Sequence, residues 1–217
     1  MKNLILSFFS LVSLQFSAQE TKTYQIGDFA YGGIIFWLNE TGEHGLVCTK
    51  SDIAESTQWD TEIDFKDVQT GREYPPERNT KSVAIKDGIY AGKENTQSII
   101  KFVGKSEMPY AALICDEYIL EIDSIIYDDW YLPSREELNM MYLNRTIINA
   151  TAIQKGGDSL NKKRYWSSTD IDCSEKPHCF MDKVHAAYGH DFSLGSKKYQ
   201  LASRKYMPYS VRAIRSF

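Results

Sequence analysis

Four cysteines, Cys48, Cys115, Cys173 and Cys179, are the most reactive side chains in this 217-residue chain. An even count suits disulfides in an oxidising compartment and metal or thiolate chemistry in a reducing one. Cys173 and Cys179 enclose only SEKPH, a short polar loop with a proline, so a bridge between them closes easily. Cys48 is then left to pair with Cys115, although both sit in apolar contexts where a free buried thiol is also common. Zinc is the rival use of the second pair, with His178 and His185 nearby. No C-x-x-C spacing occurs, however, and a structural zinc site wants four close ligands.

Hydrolytic and nucleotide chemistry find less support. The four histidines, His44, His178, His185 and His190, show no H-E-x-x-H spacing. Ser134, Ser167 and Ser168 lack the G-x-S-x-G elbow of an activated serine. Gly92-Lys93 suggests a phosphate loop, but only three residues separate Gly88 from Gly92, and Glu94 stands where Ser or Thr should hold Mg²⁺. Asp128 and Asp129 have no D-x-D-x-D-G loop around them, so a turn with solvated or N–H-capping acids is the simpler account. With no nucleophile, base and orienting group in view, the sequence predicts neither enzyme, metal nor cofactor. What remains is recognition chemistry. Tyr165 and Trp166 with Lys197, Lys198, Arg204 and Lys205 would build an aromatic and basic ligand-binding face. The competing use of Trp166, and of Trp130, is core packing among β-formers and apolar neighbours.

The elements that would carry these residues follow from pattern. IIFWL (34–38) and LVCT (46–49) flank NETGEHG, which predicts a β-hairpin with His44 in its turn. Ile99, Ile100 and Val103 keep helical spacing, so a helix is expected over about 95–103, stopped by Gly104. MPYAALICDEYIL (108–120) reads as a buried helix with one broad apolar stripe. In YDDWYLPSREELNMMY (127–142), Pro133 forces Leu132 to be extended, Ser134 is an N-cap, and Glu137 completes a capping box, so a helix begins at Arg135. Leu138, Met141 and Tyr142 face the core. KRYWSST is β-prone, and SVRAIRSF reads as a half-buried terminal strand. QTGREYPPERNTKS (69–82) is an exposed loop. The predicted fold class is α+β: a single compact domain of short antiparallel strands with two to three helices.

Compartment is read from the start of the chain. MKNLILSFFSLVSLQFSAQE has a basic n-region, an apolar core and a small-residue exit at Ser17-Ala18, which predicts a signal peptide over 1–18 and a mature domain over 19–217. The apolar run falls short of the roughly 20 residues of a membrane span, so no span is expected after cleavage. The protein is expected to be secreted, periplasmic or at the cell surface. Charge is uneven: residues 19–160 hold 13 Lys/Arg against 24 Asp/Glu, and residues 161–217 hold 11 against 5. Solvated faces that attract one another account for this, and a basic surface meeting a polyanion is the functional version. No nucleic-acid motif is present.

Several segments fall in one familiar order: YGGIIFWLNETGEHGLV, GKENT, AALICDEY, DDWYLPSREELNMMY, YWSST and VRAIRSF. Together, from about Tyr24 to Phe217, they resemble the bacterial family typified by the C-terminal domain of the Legionella collagen-like adhesin. The resemblance implies a compact α+β domain, more loosely one of the C-type-lectin-like folds, and a glycan-binding role, since that adhesin binds sulfated glycosaminoglycans. No collagen-type G-x-y repeat precedes the domain here, and the acidic balance and the Cys173 to Cys179 loop depart from the family. The expectation is a non-enzymatic binding module for an extracellular glycan, sulfated glycans included, or a protein ligand. The alternatives are an oxidase on a fold like that of the formylglycine-generating enzymes, acting through Cys173 and Cys179, and a structural surface component.

Overall fold

A computed structural model describes residues 23–61, 82–160, 163–172, 186–193 and 200–217. The expected signal peptide, most of the 69–82 loop, Cys173, Cys179, His178, His185, Lys197 and Lys198 lie outside these described residues.

The chain enters through β1 (Phe29–Ala30), β2 (Gly33–Leu38) and β3 (Gly45–Cys48). β-branched and aromatic residues fill β2, and the polar turn returns the chain with Ile34 opposite Cys48, as the sequence predicts. The last strand, β11 (Ile214–Ser216), closes the other side of β3, giving the order β1-β2-β3-β11. A second sheet holds β4 (Ala54–Thr57), β7 (Arg164–Asp170), β8 (Ala186–Asp191), β9 (Gln200–Arg204) and β10 (Tyr209–Val211) in the order β4-β10-β7-β8-β9. Its β10–β7 pair is parallel, Ser210 opposite Tyr165, and its other pairs are antiparallel. Helices α1 (Ala91–Val103), α2 (Ala111–Asp116), α3 (Arg135–Leu143) and α4 (Arg145–Gln154) complete the α+β architecture.

Two cores fill this frame. In one, Trp59, Trp130 and Trp166 meet Ile99, Tyr110 and Val211; in the other, Phe36 and Leu46 meet Tyr131, Leu138, Met141 and Ile148. Each of these three tryptophans keeps its indole N–H satisfied. Trp59 donates to the Ser167 carbonyl at 2.8 Å, Trp166 to that of Thr57 at 2.9 Å and Trp130 to that of Tyr127 at 3.0 Å. A buried N–H without an acceptor would cost about 1–3 kcal/mol, so these carbonyls help fix where each ring sits. Charge is buried as well. Arg212, 1% exposed, donates to Asp52 and to the Thr49 and Asp158 carbonyls at 2.7, 2.9 and 3.0 Å.

Three expectations are corrected. The helix predicted over 108–120 is short, ending at Asp116, after which β5 (Leu120–Ile122) and β6 (Ile125–Tyr127) form a hairpin. Asp123 and Ser124 both take positive φ, 50° and 65°. That is the two-residue turn whose twist suits a hairpin, and β-branched residues on both sides outweigh the helical stripe. The helix expected from 95 starts at Ala91, and α4 was not foreseen because its sequence, RTIINATAIQ, is rich in β-branched residues. Third, Cys48 and Cys115 are free thiols buried in the two separate cores, not a disulfide. Apolar burial raises the Cys48 thiol to about 12 and puts Cys115 well above its ordinary value.

Candidate functional site

The start of α3 is the most heavily wired junction in the described residues. An α-helix leaves its first N–H groups without intrahelical partners, and here side chains from three segments take them. Ser134 Oγ accepts from the Glu137 N–H at 3.1 Å, Asp87 from that of Glu136 at 2.9 Å and Thr169 Oγ1 from that of Arg135 at 2.9 Å. The capping box expected from Ser134 and Glu137 is complete. Glu137 does more than cap. Fully buried, it accepts from the Ser134, Tyr90 and Gly92 N–H groups at 2.7, 2.8 and 3.2 Å, and so ties the N-terminus of α1 to that of α3. Burial raises its carboxyl to about 7, with those hydrogen bonds pulling the other way.

Beside this junction lies a cleft of roughly 240 Å³. Arg135 comes from the first turn of α3, Asp87 from the segment before α1, Thr169 and Asp170 from the end of β7, and Tyr188 from the middle of β8. Ile85, Ile171 and Asp172 complete the wall. The Arg135 guanidinium lies 4.6 Å from the centre of the Tyr188 ring, and its Nε donates to Asp87 at 2.7 Å. Asp87 is held twice, by the guanidinium and by the backbone of α3, so cation, ring and carboxylate are preorganised. Asp170 is buried and matched by Lys205 at 3.1 Å and by the Val83 and Ile171 N–H groups. Burial nonetheless raises its carboxyl above the ordinary value.

Such a wall presents polar and stacking groups to the cleft. A planar cation on an aromatic face, a hydroxyl and acids already paired with bases supply donors, acceptors and a stacking surface without a strong net field. Among the described residues no group of three or more His, Cys, Asp or Glu could hold a metal ion. The two described thiols are held protonated at neutral pH, whereas nucleophilic cysteine needs a lowered thiol. His190 is 1% exposed, stacked 4.4 Å from Tyr142, and neither ring nitrogen has a hydrogen-bond partner.

Of the six residues expected to form the ligand face, Lys197 and Lys198 lie outside the described residues, and Tyr165, Trp166 and Lys205 are buried. Tyr165 and Trp166 are adjacent on β7 and therefore point to opposite faces, one into each core, both 0% exposed. Tyr165 spends its hydroxyl on Asp52 at 3.2 Å. Lys205 is 5% exposed, paired with Asp170, and lies 4.3 Å over the Trp59 ring. Arg204 is exposed and donates to the Tyr206 hydroxyl at 3.2 Å. Asp129 pairs with Arg215 at 2.5 Å, which gives that acid a structural partner. Of the cleft residues, Arg135 had been read only as the first residue of a helix, and Asp87 and Tyr188 carried no sequence signal.

Comparison with known proteins adds little to this geometry. No family model matches the chain, and no curated protein matches it. Among solved structures, a fimbrial protein from Bacteroides ovatus is similar, with a TM-score of 0.46 and 14% identity over 88% of this chain. The chain spans about half of that protein, 48% of its length. A likeness this slight informs neither ligand nor partner. No helix among the described residues is long and apolar enough to cross a membrane.

Proposed function

We propose that this chain is an exported, non-enzymatic binding module of the cell surface or its surroundings, and that the cleft beside α3 takes a neutral, sugar-sized ligand. The observation that carries this reading is the Arg135 guanidinium stacked on Tyr188 and clamped by Asp87. A sugar ring presents C–H groups to an aromatic face and hydroxyls to a planar donor and a carboxylate. The resemblance to the collagen-like adhesin family and the signal peptide expected over residues 1–18 support the surface assignment. The sulfated ligand implied by that resemblance fits less well, because Lys205 is buried and every charged contact named for Arg135 is to an acid.

Glycan-array screening of the mature domain, followed by calorimetry, tests the proposal. A cleft this small should bind a neutral mono- or disaccharide weakly, near about 1 mM. Tyr188→Ala should weaken binding at least about tenfold, equivalent to ~1.4 kcal/mol, with little change on raising salt. Tyr188 is only half-buried, so the variant should fold. Binding confined to sulfated glycans, or indifferent to Tyr188→Ala, overturns the cleft assignment.

A further inference from the structure

The β5–β6 hairpin is the one place among the described residues where apolar exposure, unpaired strand edges and one-sided charge coincide. Its two strands pair only with each other, so both outer edges are open. Leu120 and Tyr127 lie on the inward face, packed against the tryptophan core, and Tyr127 also sits against Gly32 and under Arg215. The alternation of a strand therefore turns Ile119 and Ile126 outward, and Ile125 overhangs at the tip. These three isoleucines are 65%, 61% and 55% exposed. Isolated surface isoleucines need no explanation, but three on one short hairpin form a patch.

Charge along this stretch of sequence has one sign. From Ser106 to Ser134 the sequence holds seven acids and no lysine or arginine. Asp116, Glu117, Glu121, Asp123 and Asp128 are exposed there, and Glu121 stands opposite Ile126 across the hairpin. Burial and then the neighbouring Glu117 hold the Asp116 carboxyl above its ordinary value, against the pull of Lys105. Proteins usually blunt an open edge with lysine, proline or a bulge. This one carries acids, which repel a second copy of the same hairpin and attract a strand of opposite charge.

We infer that the β5–β6 hairpin is a docking edge for a protein partner that supplies an extended segment of alternating basic and apolar residues, added as a further strand. Main-chain hydrogen bonds to the open edge give affinity, Ile119 and Ile126 bury the partner's apolar side chains, and the acids select its lysines or arginines. A second copy docking by its own hairpin is disfavoured, because like charges would then face each other. This surface is separate from the cleft beside α3, and the proposal does not depend on what the cleft binds.

The test uses a fluorescent peptide of alternating lysine and valine, a proline-interrupted peptide of the same charge, and a glutamate-valine peptide, each titrated into the mature protein by anisotropy. The lysine-valine peptide should bind, weakening as salt rises, while the other two should bind at least about tenfold more weakly. Ile126→Thr and Glu121→Lys should each lower its affinity at least about tenfold, with thermal unfolding unchanged because both positions are exposed. Tyr188→Ala should leave this binding intact. Equal binding of the proline-interrupted peptide would reduce the effect to bulk charge and overturn the proposal. So would no binding of the lysine-valine peptide, or sedimentation showing that wild-type protein self-associates and that Ile126→Thr abolishes it.

Discussion

Replacing His190 by phenylalanine should turn a nearly flat response of stability to acid into a gain, because two buried groups with opposite proton preferences are set against each other in this fold. His190 faces the Tyr142 ring from α3 and the Phe192 ring beyond β8, with Arg145 of α4 also over the Tyr142 ring and Asp191 adjacent. Burial lowers its ring from 6.5 to about 4, helped by Arg145 and opposed by Asp191. Between those values the unfolded chain binds a proton that the folded chain refuses, so folding stability falls as pH falls. The shift corresponds to about 3 kcal/mol. Glu137 moves the other way: burial raises it from 4.5 to about 7. Between those values the folded chain keeps a proton that the unfolded chain has released, so stability falls as pH rises, again by about 3 kcal/mol. In the wild type the two nearly cancel from about pH 4.5 to 6.5. In His190→Phe only Glu137 remains, and the protein should gain about 3 kcal/mol on acidification from about pH 7 to 4.5. In Glu137→Gln, which is also weaker at every pH through its lost acceptor, stability should fall by about as much on going from about pH 6.5 to 4. Urea unfolding at several pH values across this range measures both slopes. Parallel curves for wild type and the two variants would refute the assignment of either buried group.

Other substitutions probe the frame more directly. Arg212→Met should cost about 3–5 kcal/mol, since it strands a carboxylate, Asp52, that is left to Lys163 at 3.0 Å and Tyr165 at 3.2 Å; an unchanged urea midpoint would contradict this. Ser134→Ala should cost about 2 kcal/mol, the upper end for a lost cap, because the same hydroxyl donates to the Gly88 carbonyl at 2.8 Å; equilibrium unfolding reads the loss. Cys48 and Cys115 should resist alkylation in the native protein and react in denaturant without reductant. A disulfide-linked peptide joining them in a non-reduced digest would overturn the free-thiol assignment.

Local physics was readable wherever it acted over a few residues. Pro133, Ser134 and Glu137 lie within five positions, and the helix start they encode is what the structure contains. The Ile34–Cys48 hairpin followed from composition and turn chemistry in the same way, whereas SVRAIRSF, read as one terminal strand, is divided between β10 and β11 in different sheets. The cleft was not readable, because its parts are brought together by tertiary packing: Arg135 and Asp87 are 48 residues apart, and Tyr188 reaches them only through the β7–β8 pairing. Lys205 misled for a related reason. A lysine in the sequence carries no record of whether its partner is water or a buried acid, and Lys205 has the acid.

The placing of β11 against β3 has a consequence for the order in which the molecule can assemble. Arg215 reaches back to the Tyr31 carbonyl across 184 residues of sequence, at 2.9 Å. On a chain emerging at about 5–20 residues per second, the first hairpin spends many seconds with one side of β3 unfilled. Closing so long a loop forfeits about 5 kcal/mol of chain entropy, so the last strand should dock late, once the interior of the molecule has already drawn its ends together. Until then β3 is an open template for any passing strand. A chain of this design needs either a holding factor while it is made or a route that keeps it unfolded until it is whole.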